Sequence, residues 1–530
     1  MKNDRFSTSR RGSLPFRPFL RFVLIALSLT WTRLPAAPAE PTPAAPVSAA
    51  DRLFLDRVGE ALVLSRAAAE RIWPGWGLEK TPLLIYEAGR AAFLVNHPAP
   101  PSDFQRLEGK IPLLGAVFTK FGRDARFNAN TSIELGGLPT ACIGFSTAPS
   151  EAEAPSLRFI ALVFHEAFHA YQAKAGKPGK GAVEALLLRY PDLNAENLAL
   201  AQMEQMILFQ LVRFEDAPDP DRLRSFLAVR AARQKSLGAE FLHAERGIEY
   251  QEGLPTYIEV RLLEEARKAT AGLSGFGSGD PYSLGFSVAP ELKVSDYLSR
   301  LLRFSSDAAT IRSRAYVTGM ALGLLLDRMG VDWKTAALTS DKYLDEILAD
   351  NLSMQPTVAA SALARAKKDL DYDGLFRIVQ EKTARLSAER KLAAENFMKQ
   401  PGIRIELKLP DGPVEVRGFD PLNVQPIDSG RAIHRRLLRL AFGEGTFSAS
   451  GVPVLVGLGN GPFDIKRVTV FVPAEDLLVE ADFAPLALEP GSRTFRGSFK
   501  LSAGGVSLQA SSGTLSIAPD KARIEIELKR

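Results

Sequence analysis

The chain of 530 residues contains one cysteine and five histidines. A single cysteine rules out any intrachain disulfide, so an oxidising compartment contributes nothing to this fold. Cys142 therefore reads as core filler. No repeat of 20 to 50 residues is visible, which argues against solenoids and propellers. No apolar run approaches the eighteen or so residues of a membrane-spanning helix. The glycines at 272–279 lack the preceding strand and the lysine of a phosphate-cradling loop, and no serine or cysteine has the surroundings of a nucleophile. What is present is ordinary for a globular protein, with 46% hydrophobic and 24% charged residues. The length predicts roughly two to four domains.

The formal charge of +5 would ordinarily suggest an anionic partner. Its distribution removes that reading. Residues 1–39 hold seven basic side chains and one acid, and the remainder carries a net charge of −1. A basic stretch to Arg21, the apolar run Phe22 to Trp31 and the small residues Ala37-Pro38-Ala39 match a signal peptide over 1–39, cleaved after Ala39. Ser9-Arg10-Arg11-Gly12-Ser13-Leu14 faintly resembles a twin-arginine signal, the alternative to the general secretory route. The expectation is an exported protein, periplasmic or secreted, with no stable membrane span after cleavage and no nucleic-acid partner.

The Pro/Ala-rich segment 40–50 is expected to be an extended tether. Helical spacing over 51–73 is followed by short strands at Leu83–Tyr86, Phe93–Val95 and Ala116–Phe118. From Ser156 to about 397 helical patterns dominate, with two helices expected near 194–214 and 221–246. Pro401-Gly402 marks a change of character. Beyond it, runs such as Val468-Thr469-Val470-Phe471-Val472 alternate with period two between turns, predicting an antiparallel β-sandwich over 401–530. The expected class is α+β: a mainly helical domain over 51–400 with a small N-terminal sheet, then a β-rich domain. Trp73, Trp76 and Trp333 are expected in the core or at its rim.

Chemistry concentrates in one helix. His165, Glu166 and His169 form H-E-x-x-H within an otherwise apolar segment. Four residues of helix leave the two imidazoles about 40° apart and about 6 Å apart along the axis, so both can converge on one ion. Glu166, a third of a turn aside, can reach water beside that ion. Burying these polar groups is expensive unless a metal compensates them. His97, His243 and His434 lack comparable settings, so a carboxylate is needed to complete a three-ligand zinc site. Glu252, Glu249, Glu245 and Glu204 are the candidates.

The segment Glu252-Gly253-Leu254-Pro255-Thr256-Tyr257-Ile258-Glu259 resembles the E-G-x-x-x-Y-x-E signature around the third zinc ligand of gluzincin metallopeptidases, the aminopeptidase relatives of thermolysin. Ala315-Tyr316-Val317-Thr318-Gly319 resembles the segment whose tyrosine stabilises the tetrahedral intermediate there. The resemblance spans 51–400. It implies Zn²⁺ held by His165, His169 and Glu252, Glu166 as general base and Tyr316 as oxyanion donor, acting on a peptide or protein substrate. Two departures stand out. His169 and Glu252 are 83 residues apart, and Gly136-Gly137-Leu138-Pro139-Thr140 lacks the glutamate that captures a free amine, which argues against aminopeptidase action. The rival expectations are an inactive binding protein on the same scaffold and a zinc hydrolase of a nonpeptide amide or ester. The loop 272–285 is expected to border the cleft.

Overall fold

A computed structural model describes residues 47–529, apart from 125, 128, 147–156, 176–183, 215–216, 271–294, 303–307, 353, 421–422 and 460–463. The expected signal peptide, most of the tether and the 272–285 loop lie outside the described residues. Ordered helix begins earlier than expected. Helix α1 spans Ala49–Ile72, because Ser48 and Asp51 form a reciprocal capping box that satisfies free amides of its first turn.

Six strands follow or flank it: β1 Leu83–Glu87, β2 Ala91–Val95, β3 Gln105–Arg106, β4 Val117–Phe121, β5 Thr131–Leu135 and β6 Leu138–Gly144. They form one sheet in the order β3-β4-β2-β1-β6-β5, with β5 at an edge. Only the β1–β6 pairing is parallel. Alternation divides their side chains between two cores. Leu83, Ile85, Phe93 and Ile143 pack under the helices, while Leu84, Tyr86, Leu94 and Cys142 fill a small core on the other face. Gly136-Gly137 is not part of a strand. Both residues have positive φ, 57° and 78°, and make the tight turn of the β5–β6 hairpin.

The helical layer comprises α2 Leu157–Ala175, α3 Ala195–Phe214, α4 Pro220–Leu237, α5 Ala239–Ile248, α6 Leu254–Thr270, α7 over 295–301, α8 Ala308–Arg328, α9 Lys334–Thr339, α10 Leu344–Asp350, α11 Pro356–Asp369 and α12 Tyr372–Met398. The single helix expected over 221–246 is two, because Gly238 takes φ 96°, ψ 145° between α4 and α5. Helix α2 lies on β6 and against α1 and α6. Trp73, Trp333 and Tyr257 pack edge to face beneath it, and Trp73, Trp76 and Trp333 are all buried.

The C-terminal part is all β, but it is not two separate sheets. Among the described residues thirteen strands form one continuous sheet, β7 Ile403–Lys408 to β19 Arg523–Leu528. Strand β18, Val506–Ile517, explains the curl. Residues 506–509 pair with β12 Gly445–Ser450, whereas 513–517 pair with β19. The sheet forks there, and its two arms face one another across a single core that includes Leu407, Leu440, Phe447, Val470 and Leu508. One pairing, β7 with β19, is parallel. Ala394 and Phe397 of α12 pack on the outside of this sheet, against Ile427, Ile433 and Leu455.

Candidate metal centre and active site

Helix α2 is anchored by Val163, Phe164, Ala167 and Phe168, all fully buried. That apolar surround fixes the opposite stripe, where the His165 and His169 rings stand 4.8 Å apart between centroids. Glu166 is only 5% exposed. Among the described residues its Oε2 has no hydrogen-bond partner.

The facing wall is a helix with one anomalous turn. Helices α5 and α6 run on through a π-turn, Glu249–Gly253, with helical backbone angles at Ile248 and Leu254 on either side. The chain is therefore already helical from Ala239 when it reaches Glu252. The wider turn leaves carbonyls without their usual partners, and two side chains supply donors. Gln172 donates from Nε2 to the Tyr250 carbonyl at 2.8 Å, and Thr256 donates from Oγ1 to the Glu252 carbonyl at 2.7 Å. Gln172 thereby ties the histidine helix directly to the turn that carries Glu252.

The widened turn also separates Glu249 from Glu252, which three residues of ordinary α-helix would keep near one face. Glu249 points into a buried ion-pair network and pairs with Arg230. Burial, opposed by Arg230, pushes its carboxyl up to about 7. Glu245 and Glu204 are bound by Arg233 at 2.6 and 2.7 Å. Glu252 alone of the four candidates faces the histidines. Its Oε2 lies 3.3 Å from Nε2 of both His165 and His169. Among the described residues these three form the one group of potential ligands with donor atoms this close, all within 4.8 Å.

Those separations can be set beside two kinds of contact. Charge-assisted hydrogen bonds run about 2.7 to 2.9 Å. Ligands about 2.0 to 2.1 Å from a tetrahedral zinc stand roughly 3.3 Å apart. The two 3.3 Å edges to Glu252 lie near the second spacing, while the three donor atoms together span up to 4.8 Å, so the donor set is of the right chemical kind for such an ion and more open than a bound one. By contrast, His165 Nδ1 meets Glu259 Oε1 at 2.6 Å, a true hydrogen bond, and Tyr297 donates to Glu259 Oε2 at 2.8 Å. That chain fixes the His165 ring so that Nε2 faces Glu252.

Electrostatics agree with the geometry. Burial opposes charge on His165, yet Glu252 and Glu259 overcome it and push the imidazole up to about 10. A pair of carboxylates that favours a proton there also favours a cation. Burial alone would raise the Glu252 carboxyl, but both histidines hold it well below the usual range. Burial raises Glu166.

Tyr316 lies in the middle of α8, and its ring stacks over His165 at 6.3 Å and 17°. It gets there through a glycine contact. A Cβ on Gly319 would stand 2.3 Å from the Glu249 carbonyl oxygen, and one on Gly253 would stand 2.6 Å from Gly319 Cα. Only paired glycines let α8 approach the π-turn so closely. The other histidines lie elsewhere: His97 bonds the Leu135 carbonyl, His243 bonds Tyr343, and His434 is buried in the C-terminal sheet. No known protein family, curated protein or solved structure matches the chain.

Among the contributors, Glu259, Gln172, Tyr297 and Arg312, which donates to Glu252 Oε1 at 3.0 Å, were not assigned roles from the sequence. Spacing could have flagged two of them. Glu259 follows Glu252 by two helical turns, as Gln172 follows His165. Tyr297 and Arg312 carry no comparable local signal.

Proposed function

We propose that the protein is an exported zinc-dependent peptidase, with His165, His169 and Glu252 holding the metal and Glu166 as general base. The observation that carries this reading is the Glu166 carboxylate, buried beside the two imidazoles and with Oε2 unpartnered among the described residues. An unsatisfied buried charge of this kind costs about 1 to 3 kcal/mol or more. A noncatalytic scaffold has no use for it, whereas a general base needs an unoccupied oxygen aimed at its proton donor.

Bound zinc would polarise the scissile carbonyl and acidify an attacking water to near neutrality. Glu166 takes that water's proton at Oε2 and returns it to the leaving amine. Its raised pKa brings the carboxyl closer to working pH, which suits it to both transfers. The pair Glu259 and Tyr297 keeps His165 in one tautomer and one orientation. Tyr316, stacked on His165, donates its hydroxyl to the oxygen that gains charge, a contribution of about 3 kcal/mol where such donors are removed.

The test is a diverse peptide library offered to residues 40–530 and to the same chain carrying Glu166→Gln. Zinc-dependent cleavage that falls at least a thousandfold in the variant, with zinc content unchanged, is the expected result. Cleavage that persists with Glu166→Gln would remove the general base from the account. Zinc bound without peptide cleavage would transfer the site to the nonpeptide or scaffold readings.

A further inference from the structure

The α8 face that meets the π-turn carries Arg312, Tyr316, Gly319 and Gly323 at helical spacing. Three of them touch successive parts of 249–257: Arg312 reaches Glu252, Gly319 abuts Gly253, and Gly323 abuts Tyr257. Arg312 donates from its guanidinium to Glu252 Oε1 at 3.0 Å. The same guanidinium lies over the Tyr316 ring, 4.9 Å from its centroid. Tyr316 in turn stacks on His165. Arg312, Glu252, His165 and Tyr316 therefore close a ring of contacts around the candidate metal centre.

The two Glu252 oxygens are thereby divided. Oε2 faces both imidazoles, and Oε1 is taken by Arg312. A carboxylate free to turn could offer both oxygens to a metal and fill the position that catalysis needs open. We propose that Arg312 is a positioning residue for the metal site, confining Glu252 to one-oxygen ligation while holding Tyr316 against His165. This inference rests on the zinc reading above and deepens it.

This arginine sits toward the surface end of the pair. Its side chain is 41% exposed, and ion pairs of that exposure contribute little to folding. Its effect should therefore appear at the metal. A lysine could keep the charge but not the planar fork that binds a carboxylate oxygen and stacks on a ring at once.

The experiment compares the full chain, Arg312→Leu and Arg312→Lys by zinc competition against a chelator, by the visible spectrum of the cobalt(II)-substituted protein and by thermal unfolding. Arg312→Leu is expected to bind zinc about 10 to 100-fold more weakly. Its cobalt bands should lose intensity as coordination number rises, with the unfolding midpoint unchanged. Arg312→Lys is expected to fall between. Zinc affinity within twofold of the parent and an identical cobalt spectrum would overturn the positioning role while leaving the metal site intact. A parent chain that binds neither metal would overturn the zinc reading itself. Should Arg312→Leu fail to fold, Arg312→Lys decides by the same two readouts.

Discussion

Replacing Gly319 with alanine tests whether the close approach of α8 is what assembles the site. The added Cβ would stand 2.3 Å from the Glu249 carbonyl oxygen and 2.8 Å from Gly253 Cα. Ordinary contact begins near 3.4 Å, so α8 must retreat by roughly 1 Å, since a packed interior transmits strain and does not absorb it. Two energies oppose one another. Alanine gains about 1 kcal/mol of helix propensity, and overpacking costs about 1 to 3 kcal/mol. The net loss is at most about 2 kcal/mol, a modest shift in unfolding temperature. The same displacement stretches the 3.0 Å Arg312–Glu252 bond beyond hydrogen-bonding range and carries Tyr316 with it. A misplacement of about 1 Å costs on the order of 100-fold in turnover. The assay is kcat/KM on the best library peptide, together with the unfolding midpoint, for Gly319→Ala and for the control Gly115→Ala, where a Cβ meets nothing within 4 Å. Turnover within threefold of the parent for Gly319→Ala, with the fold intact, would refute the reasoning.

The C-terminal sheet should be acid-sensitive. Burial holds His434 down to about 4, below its unfolded value near 6.5. Its stability contribution is thus present above pH 6.5 and lost as pH falls through 4, a change of about 3 kcal/mol. Urea unfolding at pH 7.5 and pH 4 should show that loss in the parent and a smaller one in His434→Leu; equal losses would contradict it. Arg390 of α12 and Asp192 form a buried two-pronged ion pair. Arg390→Met should cost about 3 to 5 kcal/mol by denaturant titration because it strands Asp192, and adding Asp192→Leu should recover most of that.

Periodicity carried most of the architecture. The apolar spacing of α2 and α12 and the alternation beyond Pro401-Gly402 are local signals, and the elements follow them. Global closure is not local. Nothing in 506–517 reveals that one strand will exchange β12 for β19 along its length, so one forked sheet stands where a sandwich was expected. The same limit governs the site. The H-E-x-x-H spacing needs only one helix, so the juxtaposition of His165 and His169 was legible. Glu252 was preferred to Glu249 only through the E-G-x-x-x-Y-x-E resemblance, because the π-turn that separates the two leaves no mark in the apolar pattern. Arg312 and Tyr297 arrive from distant segments by tertiary packing. Gly253 and Gly319 mark the approach that brings α8 in, but a glycine in a helix announces a close contact without naming its partner.

Zinc stoichiometry with X-ray absorption decides whether His165, His169 and Glu252 hold a metal. One zinc per chain is expected, bound by two imidazole nitrogens and carboxylate or water oxygens at about 2.0 to 2.2 Å, retained in Glu166→Gln and lost in His169→Ala and Glu252→Ala. A parent chain without stoichiometric zinc, or zinc that remains after both His169 and Glu252 are replaced, would contradict that expectation.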